Sequence, residues 1–126
     1  MEEGINYRQQ LHAWLTETVE HEKPAAGIVA FRFGLTETEE SYVLYLAGHT
    51  KHDKDNYEWA CYEPEFMAET ELHFPIKDEQ QWEWILLEVI RSLGWGLRTE
   101  VIDASFLGGE MPVYTGFVGG DLFRIK

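Results

Sequence analysis

Residues 27–48 contain Gly27-Ile-Val-Ala-Phe-Arg-Phe-Gly34, the acidic linker Thr36-Glu-Thr-Glu-Glu40, and Ser41-Tyr-Val-Leu-Tyr-Leu-Ala-Gly48. Both flanking segments are rich in β-branched and aromatic residues, which favour extended structure. Because the linker is short and polar, the two segments are predicted to form an antiparallel hairpin. Apolar side chains fall on both faces of each strand. The hairpin is therefore expected at the centre of a sheet, or with its outer face covered by a partner.

Two amphipathic helices are predicted, one on each side of this hairpin in the sequence. The first is expected from about Tyr7 to Glu22, with Asn6 as its N-cap, from apolar residues at three- and four-residue spacing. The second begins after Asp78, which resembles a capping residue, and its end near Gly94 is left open, because a further helical piece through Ile102 fits the pattern. Its apolar residues are Trp82, Ile85, Leu86, Val89, Ile90 and Leu93. Of these, Trp82, Leu86, Val89 and Ile90 are expected to face the sheet.

The remaining segments complete an α+β domain. Tyr57–Tyr62 is predicted as a third strand, and residues 63–75 as an irregular crossing segment. Pro112–Val118 and Leu122–Ile125, joined by Gly119-Gly120, predict a closing hairpin, since glycine supplies the positive φ values of tight turns. The order α-β-β-β-α-β-β predicts one domain over residues 1–126. We expect an antiparallel sheet of about five strands with two main helices packed on one face.

The composition and net charge of the chain argue against several classes of function. The chain has 126 residues, 44% of them hydrophobic and 14% aromatic, which is enough for a packed core. Its net charge of −13 argues against nucleic acid as a partner, because phosphate binding needs clustered Lys and Arg. The same charge disfavours docking on an anionic membrane. With no long apolar segment and an acidic, polar start, the chain is expected to be cytoplasmic.

No motif indicates a cofactor, and whether the protein is an enzyme is left open. His49, His52, Asp53 and Asp55 offer imidazole and carboxylate groups that suit zinc. The two histidines lie in a predicted loop with no second pair to complete a site, so a solvated polar loop is favoured over a metal site. Cys61 is expected to be a small buried apolar residue rather than a nucleophile, because it lies between aromatic residues in a predicted strand.

The distribution of charge is the most informative feature. Residues 53–71 contain seven carboxylates and one base, Lys54, interleaved with large apolar side chains. Such a surface suits a basic protein partner, with aromatic residues as anchors and carboxylates for steering. In the alternative, the aromatic residues enter the core and the acids only face water. The candidate partner-binding residues are Asp53, Asp55, Tyr57, Glu58, Trp59, Glu63, Glu65 and Glu69.

Five segments carry a family resemblance that covers residues 27 to 125. They are Ile28–Leu35, Ser41–Gly48, Asn56–Cys61, Trp82–Leu87 and Gly116–Leu122. Together they resemble small acidic bacterial proteins found among toxin-immunity and uncharacterised families. The resemblance implies a protein that binds and blocks a toxin without doing chemistry, and it supplies no catalytic residue.

Three functions are consistent with these features. The first is an immunity-type inhibitor that occludes a basic toxin or nuclease, with carboxylates in place of the phosphates that its active site expects. The second is a small hydrolase or other enzyme that uses carboxylates with His49 or His52. The third is a module of a larger complex that forms a homodimer through the outer face of the sheet.

Overall fold

A computed structural model describes residues 7–75 and 81–126. Two of the predicted capping residues, Asn6 and Asp78, lie outside these ranges. The helices are α1 (Tyr7–His21), α2 (Gln81–Gly96) and α3 (Glu100–Asp103), with a short 3-10 helix at Tyr57–Cys61. The strands are β1 (Ala30–Glu37), β2 (Ser41–His49), β3 (Phe66–Met67), β4 (Leu72–Pro75), β5 (Val113–Phe117) and β6 (Phe123–Arg124).

The strands form one sheet in the order β3-β2-β1-β5-β6, and β4 also pairs with β2. The predicted hairpin of β1 and β2 is confirmed, with Phe33 opposite Leu46, and it occupies the centre of the sheet. The closing hairpin of β5 and β6 is also confirmed, with Gly119 at φ +82° in its turn. These pairings establish the predicted α+β fold.

The sheet is mixed rather than purely antiparallel, because β5 pairs with β1 in the parallel direction. Parallel neighbours require a long crossover connection that usually contains a helix. After β2 the chain passes through two short strands and then α2 and α3 before it reaches β5 on the other side of β1. The prediction of a wholly antiparallel sheet is corrected on this point.

The main core lies between one face of the sheet and the helices. Phe31, Phe33 and Leu35 of β1 are 0–1% exposed and pack in one cluster with apolar residues of α1 and α2. This arrangement confirms that the helices pack on one face. The helical residues buried in the cluster are Leu11, Trp14 and Leu15 of α1, with Ile85, Val89 and Leu93 of α2.

The inward face of α2 differs from the prediction at its first turn. Val89 is buried and Leu86 and Ile90 are half-buried, but Trp82 is 44% exposed. The fully buried residues of α2 begin one turn later, at Ile85, and Trp82 instead lies edge-on against Phe117 of β5.

Within the described residues, no helix is both long enough and apolar enough to cross a bilayer.

Three predictions between the hairpin and α2 were wrong. The segment predicted as a third strand is the 3-10 helix, because the Asn56 side chain accepts a hydrogen bond from the backbone N–H of Glu58 and favours a turn. Cys61 is exposed rather than buried, since Trp59 takes the inward position of that helix. The irregular segment contains β3 and β4, which raises the strand count to six.

Candidate functional site

The second face of the sheet, away from the helices, carries a polar and aromatic cluster. Arg32 extends from β1 on the face opposite Phe31 and Phe33, because side chains alternate along a strand. In the sheet register, Arg32 pairs with Tyr114 of β5, and Gly34 pairs with Tyr45 of β2. Three neighbouring strands therefore bring one guanidinium and two phenols together.

Arg32 is nearly enclosed, with 9% of its surface exposed. Its Nε–H donates to Nε2 of His49 at 3.4 Å, and Nη1 donates to the hydroxyl of Tyr45 at 2.9 Å. The guanidinium carbon lies 5.5 Å from the centre of the Tyr45 ring. No carboxylate in the described part of the chain forms an ion pair with it. The two side chains that accept hydrogen bonds from the charged guanidinium, His49 and Tyr45, are thus both neutral.

His49 is the neutral acceptor for Arg32. It is 2% exposed, and its pKa is lowered to about 4, first by burial and then by the charge of Arg32, against an opposing effect of Glu65. Since Nε2 accepts the hydrogen bond, the proton of the neutral ring is assigned to Nδ1. The prediction of a solvated loop is wrong for this residue, which ends β2 in the interior.

An aromatic cluster closes the same end of the sheet. The ring of Trp59 packs edge-on against His49, His52 and Tyr114, with centroids 5.2 Å away in each case. Its indole N–H donates to the backbone carbonyl of Asp53 at 3.1 Å, and Nε2 of His52 lies 2.8 Å from the Tyr114 hydroxyl. Burial lowers the pKa of His52 and raises that of Tyr114. The cluster fixes the loop after β2 onto the sheet.

A cleft of about 740 Å³ opens over Arg32. Its floor includes Arg32, Tyr45 and Gly116 of the central strands, and the rest of its lining comes from Tyr57, from residues 60–64 and from the β5–β6 turn. Two glycines make this floor possible. A Cβ on Gly34 would overlap the Tyr45 ring, and one on Gly116 would overlap the backbone carbonyl of Asp121.

A second groove of about 450 Å³ lies beside this cleft, between α2 and the β5–β6 hairpin. Trp82, Leu87 and Phe123 line it and are 40–52% exposed. Trp84 and Trp95 are also exposed on α2. The protein therefore presents large apolar side chains next to its polar cleft.

The structure separates the predicted partner-binding residues into two groups. Tyr57 is 40% exposed, but Trp59 is 3% exposed and belongs to the interior. For Trp59 the sequence left a surface anchor and a core residue as alternatives, and the structure shows the second: its indole packs in a buried cluster with Ala30 and Tyr114. The carboxylates of the set are all exposed, namely Asp53, Asp55, Glu58, Glu63, Glu65 and Glu69.

Two contacts hold the C-terminal part of residues 53–71 in place. Glu65 accepts a hydrogen bond from the backbone N–H of Thr50 at 2.8 Å, and this bond is the main reason that the pKa of Glu65 is lowered. Glu22, the residue after α1, accepts a hydrogen bond from the backbone N–H of Glu69 at 2.8 Å. The exposed acids therefore sit on a chain with defined conformation.

The candidate metal ligands do not converge. His49 and His52 each have one ring nitrogen bonded to a protein group, and their rings flank Trp59 from two sides. Across residues 7–75 and 81–126, no three His, Cys, Asp or Glu side chains are placed to hold one ion. Neither histidine lines the cleft over Arg32.

Sequence reasoning missed Arg32, Tyr45 and Tyr114 as site residues. One signal was present: Arg32 interrupts an otherwise apolar strand in which both faces were expected to be covered. The sequence also indicated that Trp82 and Trp84 of α2 could not both be buried, because helix residues two apart cannot both face one core.

Comparison with protein-family models, curated protein sequences and solved structures finds no match to this chain.

Proposed function

We propose that this protein is a non-catalytic, immunity-type binding protein that occludes a basic toxin or nuclease in the cytoplasm. Its binding surface is the acidic segment, defined as residues 53–71. The observation that carries the proposal is that all seven carboxylates of this segment are exposed, although the segment is fixed to the sheet through the buried Trp59.

Carboxylates on an anchored backbone bind a basic site better than those on a mobile chain, because less conformational freedom of the backbone remains to be lost on association. The segment has Lys54 as its one base, so its field is uniformly negative and attracts a cationic surface over a Debye length of about 10 Å at 0.1 M salt. In the complex, the carboxylates occupy positions that phosphates would take in a nuclease.

Apolar contact is available on the same segment. Tyr57, Tyr62 and Met67 are 40–51% exposed and alternate with the acids. Tyr side chains are enriched among residues that dominate binding energy, because they combine a large apolar area with a hydroxyl group. We therefore expect carboxylates to set the association rate and these side chains to set the dissociation rate.

The test uses a partner captured from the native host, or the product of a neighbouring gene that encodes a basic secreted protein. Association rates are measured at low and moderate salt for the wild type and for Asp55→Lys/Glu58→Lys/Glu63→Lys. Glu65 is left unchanged because its carboxylate bonds to Thr50. The variant should associate at least about tenfold more slowly at low salt, with a flatter salt dependence.

A matched control carries the same change in net charge elsewhere. Glu37→Lys/Glu39→Lys/Glu40→Lys alters exposed acids at the β1–β2 turn, at the opposite end of β2 from His49. It should slow association much less than the first variant. Equal effects of the two variants would show that only net charge matters, and the acidic segment would lose its role.

A further inference from the structure

We infer that the cleft over Arg32 binds a small monocarboxylate ligand with an aromatic body. The inference does not rest on the proposed function, because it concerns a different class of ligand, although Tyr57 and residues 60–64 of the acidic segment also line the cleft. It follows from the guanidinium at the floor of the cleft, the neutral groups that hold it, and the aromatic walls above it.

The first step is the uncompensated charge. A guanidinium stays protonated under all ordinary conditions, and enclosing a charge without a counter-ion is costly. Arg32 is 9% exposed and has no ion-pair partner in the described ranges, even though the chain has 23 acidic residues. A structural arginine in so acidic a protein would be expected to pair with one of them. An anionic ligand would supply the missing charge.

The second step is the number of free donors. A guanidinium has five N–H bonds, and Arg32 uses one for His49 and one for Tyr45. Nη2 has no hydrogen-bond partner within the described part of the chain. It also retains some exposed surface, since the fully buried side-chain atoms without a partner among those residues are His12 Nδ1 and Ser92 Oγ. Its N–H groups are thus available to a ligand in the cleft that Arg32 lines.

The third step is preorganisation. His49 holds Nε and Tyr45 holds Nη1, so the plane of the guanidinium is fixed before any ligand arrives. His49 can play this part because it is neutral at physiological pH and offers a lone pair rather than a second N–H. A planar fork held in this way matches the two oxygens of a carboxylate.

The charged groups of the lining favour a monoanion over a dianion. Arg32 is the one Lys or Arg among the residues that line the cleft, whereas Glu63 and Asp121 add two carboxylates to the lining. A phosphate dianion would meet one positive and two negative groups. A carboxylate needs a single guanidinium, so the balance favours it.

The aromatic residues that line the cleft favour a ligand with an aromatic ring. Four aromatic side chains line the cleft, namely Tyr45, Tyr57, Tyr62 and Phe117. The cleft volume of about 740 Å³ falls within the range of small-molecule sites. Aromatic rings pack edge-to-face or offset against one another with favourable energy beyond the burial of area.

The experiment is a calorimetric titration of the full chain with three probes: phenylacetate, the neutral benzyl alcohol, and inorganic phosphate. Phenylacetate should bind one site with a Kd on the order of 0.1–1 mM, as its size permits, and the other two should bind at least about tenfold more weakly. Arg32→Gln should weaken phenylacetate binding at least about tenfold, whereas Arg91→Gln, on the exposed side of α2, should leave it unchanged.

A second measurement covers the case in which Arg32→Gln fails to fold. Cys61 is exposed and lines the cleft, so phenylacetate should slow its modification by a thiol reagent in the unaltered chain, and benzyl alcohol should not. Equal protection by both probes, no protection by either, or tighter binding of phosphate would each overturn the inference.

Discussion

The Nε–H of Arg32 donates to Nε2 of His49 across the β1–β2 pair, over 3.4 Å. The bond joins a permanent cation to a histidine that must stay neutral to accept it. Protonation of His49 would replace the acceptor with a donor and place two positive charges side by side. The pair therefore couples the stability of the sheet to pH.

The first prediction concerns this coupling. The pKa of His49 is lowered from 6.5 to about 4 in the folded chain, so the unfolded chain binds the extra proton more readily. The contribution to stability is complete above the unfolded pKa and is lost as pH falls from about 6.5 towards 4. From pH 7 to pH 5, the free energy of unfolding should fall by roughly 2 kcal/mol through this group.

His49→Gln isolates this effect from the titration of other groups, because its side-chain carbonyl can still accept from Arg32. The slope of unfolding free energy against pH between 5 and 7 should be shallower in this variant than in the wild type. Urea unfolding at several pH values measures it. Parallel slopes for the two proteins would contradict a neutral, buried His49.

The second prediction concerns Trp59. Because its side chain is 3% exposed and contacts three other rings, Trp59→Ala should lower the free energy of unfolding by about 3–5 kcal/mol. Trp59→Phe should cost much less, since it keeps an aromatic ring and loses the bond to Asp53. Thermal and urea unfolding give both values. A near-neutral Trp59→Ala would place the indole outside the core.

The third prediction compares two leucines on α2. Leu93 is 0% exposed, so Leu93→Ala should cost about 2–5 kcal/mol through the cavity it leaves. Leu87 is 52% exposed, and Leu87→Ala should change stability by no more than about 0.5 kcal/mol. Leu86 is half-buried, so the loss of unfolding free energy in Leu86→Ala should fall between those of the other two variants. Chemical denaturation that ranks the three otherwise would require a different inward face for α2.

Local patterns in the sequence predict much of this fold. The β1–β2 and β5–β6 hairpins and the first helix follow from side-chain alternation, turn residues and helical spacing, which act between neighbours in the chain. The parallel pairing of β1 with β5 joins residues about eighty positions apart, and no local preference encodes it. Residues 57–61 were misassigned because an alternating apolar pattern also fits a short turn of helix.

Local sequence patterns could not predict the cleft either, because its residues are far apart in the chain. Arg32, Tyr45 and Tyr114 come from three strands and meet only through the sheet register. The acidic segment was found because it is continuous along the chain. Trp59 within it was ambiguous, since composition does not tell which aromatic residue of a mixed segment faces inward.

The last prediction concerns the floor of the cleft, where the Tyr45 ring lies across Gly34 on the neighbouring strand. A Cβ at position 34 would overlap that ring, so Gly34→Ala should displace Tyr45 and weaken its bond to Arg32. The expected cost is about 1–3 kcal/mol, as for other overpacked sites. Tyr45→Ala removes the ring and leaves room for the added methyl group. In the double variant Gly34→Ala/Tyr45→Ala, the loss of unfolding free energy should therefore be smaller than the sum of the two single losses, by at least about 0.5 kcal/mol. Additive losses in urea unfolding would show that the ring and the glycine do not share this space.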